Sequence, residues 1–216
     1  MRTFPIGGIH PHDNKEWSKD KGIEVLELPN EVMIPMIQHI GAPATPIVQK
    51  GDKVLTGQLI GQITGFVSAN IHSPISGTVT SIDAYPNGQG QRRIMIVIKR
   101  EGDEWVESID RSTELKRACT LEPKEIIAKV KEAGIVGMGG AQFPTHVKLS
   151  IPEGQKANIL IINGVECEPY LTSDYRTMLE RGEMMLVGVS LLMRAISVDR
   201  AVIGIENNKP DAIALM

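Results

Sequence analysis

Apolar positions in the first half of the chain come in short, β-branched runs closed by Gly, Pro, Asn or Asp. That pattern predicts strands over Glu24–Leu28, Leu59–Thr64, Val67–His72, Gly77–Asp83 and Ile94–Ile98. Lys50-Gly51-Asp52-Lys53 is a tight-turn signal, and Asn87-Gly88 predicts a hairpin before the last strand. Short strands at short spacing imply a small sandwich or barrel. In the second half the spacing changes to that of helices. Pro123 stands where a first helical residue would, Ile126, Ile127, Val130 and Ala133 follow on one face, and Gly134 supplies the stop. Asn158–Ile162 and Ala201–Ile205 are apolar enough for buried strands. Between them Asp174 is placed to cap a helix running past Leu179, and Met184–Ile196 continues as an apolar, buried helix in which Met184, Met185 and Met193 are core positions. Pro210-Asp211 opens a last helix. Helix, strand, helix, strand, helix is an α/β order with parallel strands. The charged stretch Lys99–Arg117 connects the halves, so the chain divides into a β-rich domain over 1–110 and an α/β domain over 120–216. Two strands make too narrow a parallel layer, and the last helix has barely begun at Met216; the sequence therefore reads as a piece of a longer protein.

Composition narrows the function classes. A net charge of −3 in 216 residues lacks the basic stripe of a nucleic-acid binder. Two cysteines, Cys119 and Cys167, can build neither a disulfide framework nor an iron–sulfur cluster. No apolar run approaches the roughly 18 residues of a membrane span, and Met1-Arg2-Thr3-Phe4-Pro5 does not open a signal peptide. His10-x-His12-Asp13 has ligand residue types but no second cluster, so it reads as a turn and no metal site is expected. His72-Ser73 lacks the nucleophile turn of a triad.

Two segments carry candidate chemistry. Gly137-Met138-Gly139-Gly140-Ala141-Gln142-Phe143-Pro144 puts three glycines within four positions, letting backbone amides crowd round an anion, with Lys148 adding charge one turn later. It is neither a dinucleotide fingerprint, since the third glycine is missing, nor a P-loop. The alternative is a glycine turn that merely packs. Asn163-Gly164-Val165-Glu166-Cys167-Glu168-Pro169 follows a predicted parallel strand, at the end where open α/β sheets bind ligands. Its carboxylates suit ribose hydroxyls or a flavin edge, or form a solvated loop.

Together, Gly-x-Gly-Gly-Ala-x-Phe-Pro-x-x-x-Lys and Asn-x-x-Glu-x-Glu-Pro resemble the flavoprotein subunit of respiratory complex I. The amino-terminal Gly7-Gly8-Ile9-His10-Pro11 and Gly204-Ile205-Glu206-Asn207-Asn208-Lys209 make the chain more similar to the C subunit of the Rnf electron-transport complex. The resemblance implies an α+β multidomain protein, a barrel-sandwich hybrid of biotinyl/lipoyl type followed by a Rossmann-like α/β domain. It implies FMN and NAD(H) as cofactors. Gly137, Gly139, Gly140, Ala141, Phe143 and Lys148 would line the nucleotide, and Asn163, Glu166 and Glu168 would face flavin or nicotinamide. Glu206, Asn207 and Asn208 would lie near the isoalloxazine. No side chain is implied as acid or base. Two [4Fe-4S] clusters are expected beyond Met216. The partners implied are the complex's membrane subunits and ferredoxin or another redox protein, at the cytoplasmic face of the inner membrane. Val165 stands where complex I commonly has an acid, which leaves room for an assembly subunit with a decayed nucleotide site. An incomplete nucleotide fold would bind FMN weakly. Thr64-Gly65-Phe66-Val67-Ser68-Ala69 occupies the hairpin where carriers hold their modified lysine, yet has none. That opposes a carrier role and implies a docking or structural module.

Overall fold

The computed structural model describes residues 11–216. The Gly7–His10 part of the amino-terminal similarity, and with it His10, lies outside the described residues. The chain forms two compact units: Leu26–Lys156, and Ala157–Met216 joined by the described residues up to Val25.

The first unit is built on strands β1 (Glu31–Pro35), β2 (Thr45–Pro46), β3 (Lys53–Val54), β4 (Leu59–Gln62), β5 (Ile71–His72), β6 (Gly77–Pro86) and β7 (Arg92–Arg100). They make two antiparallel sheets, in the order β1-β7-β6-β3 and β2-β4-β5. Both sheets contribute to one core, with Val54, Ile60, Ile71, Val79, Ile96 and Ile98 buried together with Met36 and Ile75. The β6–β7 hairpin turns at Asn87, whose side chain accepts hydrogen bonds from the amides of Gln89 and Gln91 at 3.0 and 2.9 Å, as the Asn-Gly signal predicts. The turn at Gly51 closes through Asp52 N to Gln49 O at 3.1 Å.

Three strand expectations are corrected. Glu24–Leu28 is not a strand: Val25 and Leu26 are 89% and 90% exposed. The edge place beside β7 goes instead to β1, pairing Glu31 with Lys99 through Pro35 with Met95. Of Val67–His72 only Ile71–His72 is strand; Val67 O and the Ala69 amide are taken by Ala42 N and His39 Nε2. Leu59–Thr64 stops at Gln62.

No helix or strand occupies residues 110–122. Then comes α1 (Pro123–Glu132), with Pro123 in its first turn and a reciprocal cap between Glu122 and Glu125, the arrangement that satisfies two amide donors at once. Helix α2 (Thr145–Leu149) has Pro144 as its N-cap residue.

In the second unit β8 (Leu160–Asn163) pairs in parallel with β9 (Ala201–Gly204), Leu160 opposite Ala201 through Asn163 opposite Gly204. Between them runs α3 (Ser173–Ala195), kinked at Arg181, and α4 (Pro210–Leu215) follows. Asp174 lies inside the first turn of α3 and is not its cap. The Met184–Ile196 segment is helical but only in part buried: Met184 and Leu186 are exposed, and Met185 and Met193 are not in the core either. This corrects the methionine core reading. A short 3₁₀ turn at Lys15–Trp17 belongs to the same unit, held by Tyr170 N to Asp13 O at 2.6 Å and by Arg176 Nη1 to Lys19 O at 3.0 Å. Among the described residues no helix is long and apolar enough to cross a membrane.

Candidate functional site

Six of the twelve predicted site residues fall on the α1–α2 connection and α2 itself, in the first unit. Gly137 N donates to Phe143 O at 2.9 Å, Thr145 N donates to Ile135 O at 2.9 Å, and Val136 bridges Pro144. The loop between is therefore closed at its base like a hairpin. Its tip is open. Among the described residues nothing accepts a hydrogen bond from the amides of Met138, Gly139, Gly140, Ala141 or Gln142. Met138 is 93% exposed. A β-carbon on Gly139 or Gly140 would meet no atom within 4 Å, and Gly140 sits at φ +71°. Lys148, one turn into α2, folds back so that its Nζ lies 3.1 Å from where a β-carbon on Gly137 would stand. Five donors without acceptors and one ammonium form a set that suits a phosphate in charge and hydrogen bonding.

The other six residues gather where β8 and β9 end, in the second unit. Gly164 N donates to Gly204 O at 2.9 Å, and a β-carbon on Gly164 would stand 3.0 Å from that oxygen. The turns after the two strands thus run side by side. Asn163, Glu168, Asn207 and Asn208 are exposed there. Asn163 Oδ1 accepts the Val165 amide at 3.2 Å, an Asx-type turn that needs no side chain from Val165.

Glu166 is placed differently from its neighbours. It is 2% exposed, and both carboxylate oxygens are taken by the protein. Oε1 accepts from the amides of Asp174 and Tyr175 at 2.6 and 3.3 Å, and Oε2 accepts from Lys209 Nζ at 2.8 Å. Lys15 Nζ donates to the Glu166 carbonyl at 2.7 Å and stands 3.9 Å from Oε2. Glu166 is therefore the anion at the amino end of α3, the position the helix dipole favours. Lys209 also pairs with Glu206 at 2.8 Å. Burial by itself would lower the Lys209 ammonium, but its hydrogen bonds to Glu166 and Glu206 outweigh burial and hold it above the ordinary lysine value. The Lys209 hydrogen bond likewise holds Glu206 below the ordinary glutamate value, against a smaller opposing effect of burial. Asp174 is pushed up, by burial first and then by the charges of Glu166 and Glu168.

Sequence reasoning named Glu166 and Glu206 but not the cations that neutralise them. Lys209 carries a faint signal, three residues after Glu206 on an incipient helix. Lys15 carries none, lying 151 residues from its partner. His72 and Ser73 form no triad, since Ser73 Oγ donates to Ile75 O at 2.6 Å. Among the described residues no group of three His, Cys, Asp or Glu could hold a metal ion.

Comparison with known proteins bears on both regions. Residues 3–103 match the RnfC barrel-sandwich hybrid domain, and residues 130–216 match the Nuo51 FMN-binding domain, a span that includes the glycine loop and the acidic turn. The chain is 49% identical over 211 residues to the C subunit of the proton-translocating ferredoxin:NAD(+) oxidoreductase complex of Clostridium ljungdahlii, covering 97% of this chain and 46% of that protein. It is 44% identical over 210 residues to the Na(+)-translocating counterpart of Acetobacterium woodii, covering 96% and 46%. With the C subunit of the ion-translocating oxidoreductase complex of Rhodobacter capsulatus it shares 44% identity over 220 residues, covering 100% and 42%. The chain spans about half the length of these relatives. With a barrel-sandwich hybrid followed by an FMN-binding domain, and identity to these relatives along almost its whole length, the chain belongs to the RnfC family.

Proposed function

We propose that this chain supplies the flavin-nucleotide phosphate cradle of a peripheral electron-transfer protein. Within a membrane complex, at its cytoplasmic face, that protein would move electrons between NADH and ferredoxin. The single observation that carries the reading is the run of five amides, Met138 to Gln142, with no acceptor of their own beside the Lys148 ammonium. The relatives' names supply the redox partners, ferredoxin and NAD(+), and the translocated ion. Iron–sulfur clusters belong, on this reading, to the length of the relatives that the chain does not span, and ion movement to other subunits.

FMN, when bound, exchanges a hydride with nicotinamide and single electrons with iron–sulfur centres. The chain's own residues bind and orient. Gly139 and Gly140 leave the loop face clear, so a phosphate oxygen can approach the backbone. Lys148 adds a full charge that strengthens those hydrogen bonds. At the ends of β8 and β9, Asn163, Glu168, Asn207 and Asn208 present exposed amide and carboxylate groups suited to ribityl or ribose hydroxyls. Glu166 positions rather than binds: with both oxygens engaged, it ties the acidic turn to α3, α4 and the amino-terminal segment.

The test is an FMN titration of the full-length protein, read by flavin fluorescence. The wild-type protein is expected to bind saturably. Lys148→Glu removes a charge-assisted contact and adds a like charge, so affinity should fall at least about 30-fold, the equivalent of roughly 2 kcal/mol. Absence of saturable binding in the wild type would favour a docking role with a decayed nucleotide site.

A further inference from the structure

Carrier domains of the barrel-sandwich type keep one hairpin tip free. The matching segment here, between β4 and β5, is pinned on two sides. On one side Val67 O accepts the Ala42 amide at 2.9 Å, Thr64 Oγ1 donates to Pro43 O at 2.8 Å, and the Ala69 amide donates to Nε2 of buried His39 at 3.1 Å. On the other side it meets the chain that leads into the glycine loop.

Asn70 makes this contact. Its Oδ1 accepts the Ile63 amide at 3.0 Å, and its Nδ2 donates to Glu132 O at 3.1 Å and Lys131 O at 3.5 Å. Those two carbonyls are at the carboxyl end of α1, where a helix runs out of amide donors of its own; Lys131 O also accepts the Gly134 amide at 3.1 Å. Two residues later the chain passes so close to the barrel that a β-carbon on Gly134 (φ +66°) would stand 2.2 Å from Asn70 O. The chain that leads into the glycine loop thus rests on one short stretch, residues 63–70. The chain that follows the loop is tied to it by Gly137 N to Phe143 O and Thr145 N to Ile135 O.

We propose that the β4–β5 turn is the mount of the glycine loop, with Asn70 as its positioning residue. The barrel then serves to hold a set of backbone donors in place, and carries no group of its own. A rigid mount matters because unpartnered amides bind an anion well only when their geometry is set beforehand. The functional half of this inference rests on the reading that the loop holds a nucleotide phosphate; the mechanical half does not.

The experiment separates the two halves. Amide hydrogen exchange and FMN affinity are measured on the full-length protein and on Asn70→Ala and Asn70→Asp. Both are expected to speed exchange of the Gly137 and Thr145 amides about tenfold while amides of the β6–β7 ladder keep their protection. FMN affinity should weaken by a similar factor. Asn70→Asp keeps the acceptor for the Ile63 amide and loses only the donor to the α1 carbonyls, so if Asn70→Ala fails to fold, Asn70→Asp decides. Unchanged exchange at Gly137 and Thr145, or loss of protection equally in the β6–β7 ladder, overturns the mount. Faster exchange with unaltered FMN affinity overturns its service to the nucleotide. A wild-type protein that binds no FMN overturns the phosphate reading, while the exchange result still judges the mount.

Discussion

Two glycines with nearly the same backbone angle have different reasons to be glycine. Gly134 and Gly140 both have φ near +70°, where an L side chain costs about 1–2 kcal/mol. At Gly140 that is the whole cost, since a β-carbon there meets nothing. At Gly134 the β-carbon would also strike the Asn70 carbonyl. Gly140→Ala should therefore cost about 1 kcal/mol in denaturant unfolding, and Gly134→Ala at least about 2 kcal/mol more. Equal costs would contradict the close approach. Glu166 makes a second residue-scale prediction. Glu166→Gln keeps an acceptor for the Asp174 amide but removes the buried charge that faces Lys209 and Lys15. Stability should drop by about 3 kcal/mol, and a variant as stable as wild type would show that Glu166 is free to serve a ligand. Sequence alone identified Glu166 as chemically important, through the spacing Asn-x-x-Glu-x-Glu. It could not show which of the two carboxylates turns inward, because that depends on Lys15 and Lys209, which are remote or beyond the motif.

At the scale of elements, the helices and the long hairpin were legible because their signals are local. Pro123, the apolar face behind it and Gly134 bound α1 without help from the rest of the chain. Asn87 likewise anchors the β6–β7 turn through its own side chain, with Gly90 rather than Gly88 at positive φ. The misplaced strand shows the limit of such signals. Glu24–Leu28 alternates well enough to pair, yet β propensity is realised only against a neighbour, and the neighbour β7 is taken by β1. The sequence of β1 hides it, with Pro29 before it and Pro35 at its end, a combination tolerated at a sheet edge. The joint between α1, α2 and the barrel adds a pH dependence. Burial holds the His72 imidazole below its ordinary value of 6.5, opposed in part by Glu132. Burial and then Lys131 hold His146 below it too, opposed by the Phe66 carbonyl. A histidine whose value is depressed by folding must take up its proton at a cost, so its contribution to stability is present above about 6.5 and lost as pH falls through its folded value. The first unit should thus become easier to unfold between about pH 7 and pH 5 in urea titrations, and His146→Gln should flatten that slope. A stability that rises on acidification would contradict the burial of these rings.

At the scale of the molecule, a chain about half as long as its relatives carries a β module without a modifiable lysine in its β4–β5 turn and two clusters of candidate ligand groups. The family assignment and the candidate segments were legible in the sequence because each motif is a run of neighbouring residues; that the turns after Asn163 and Gly204 run side by side depends on the pairing of β8 with β9. The mount was not, since Asn70, Glu132 and Gly134 are joined only by folding. The first unit offers amides and a lysine, which suit phosphate; the ends of β8 and β9 offer amides and a carboxylate, which suit hydroxyls. The most direct measurement of the central claim is a titration of ¹⁵N-labelled full-length protein with FMN, following individual backbone amides. The account predicts that Met138, Gly139, Gly140, Ala141 and Gln142 shift together with saturation, and that Lys148→Glu moves their midpoint to at least about 30-fold higher FMN. Saturable binding that leaves these five amides unmoved would contradict it.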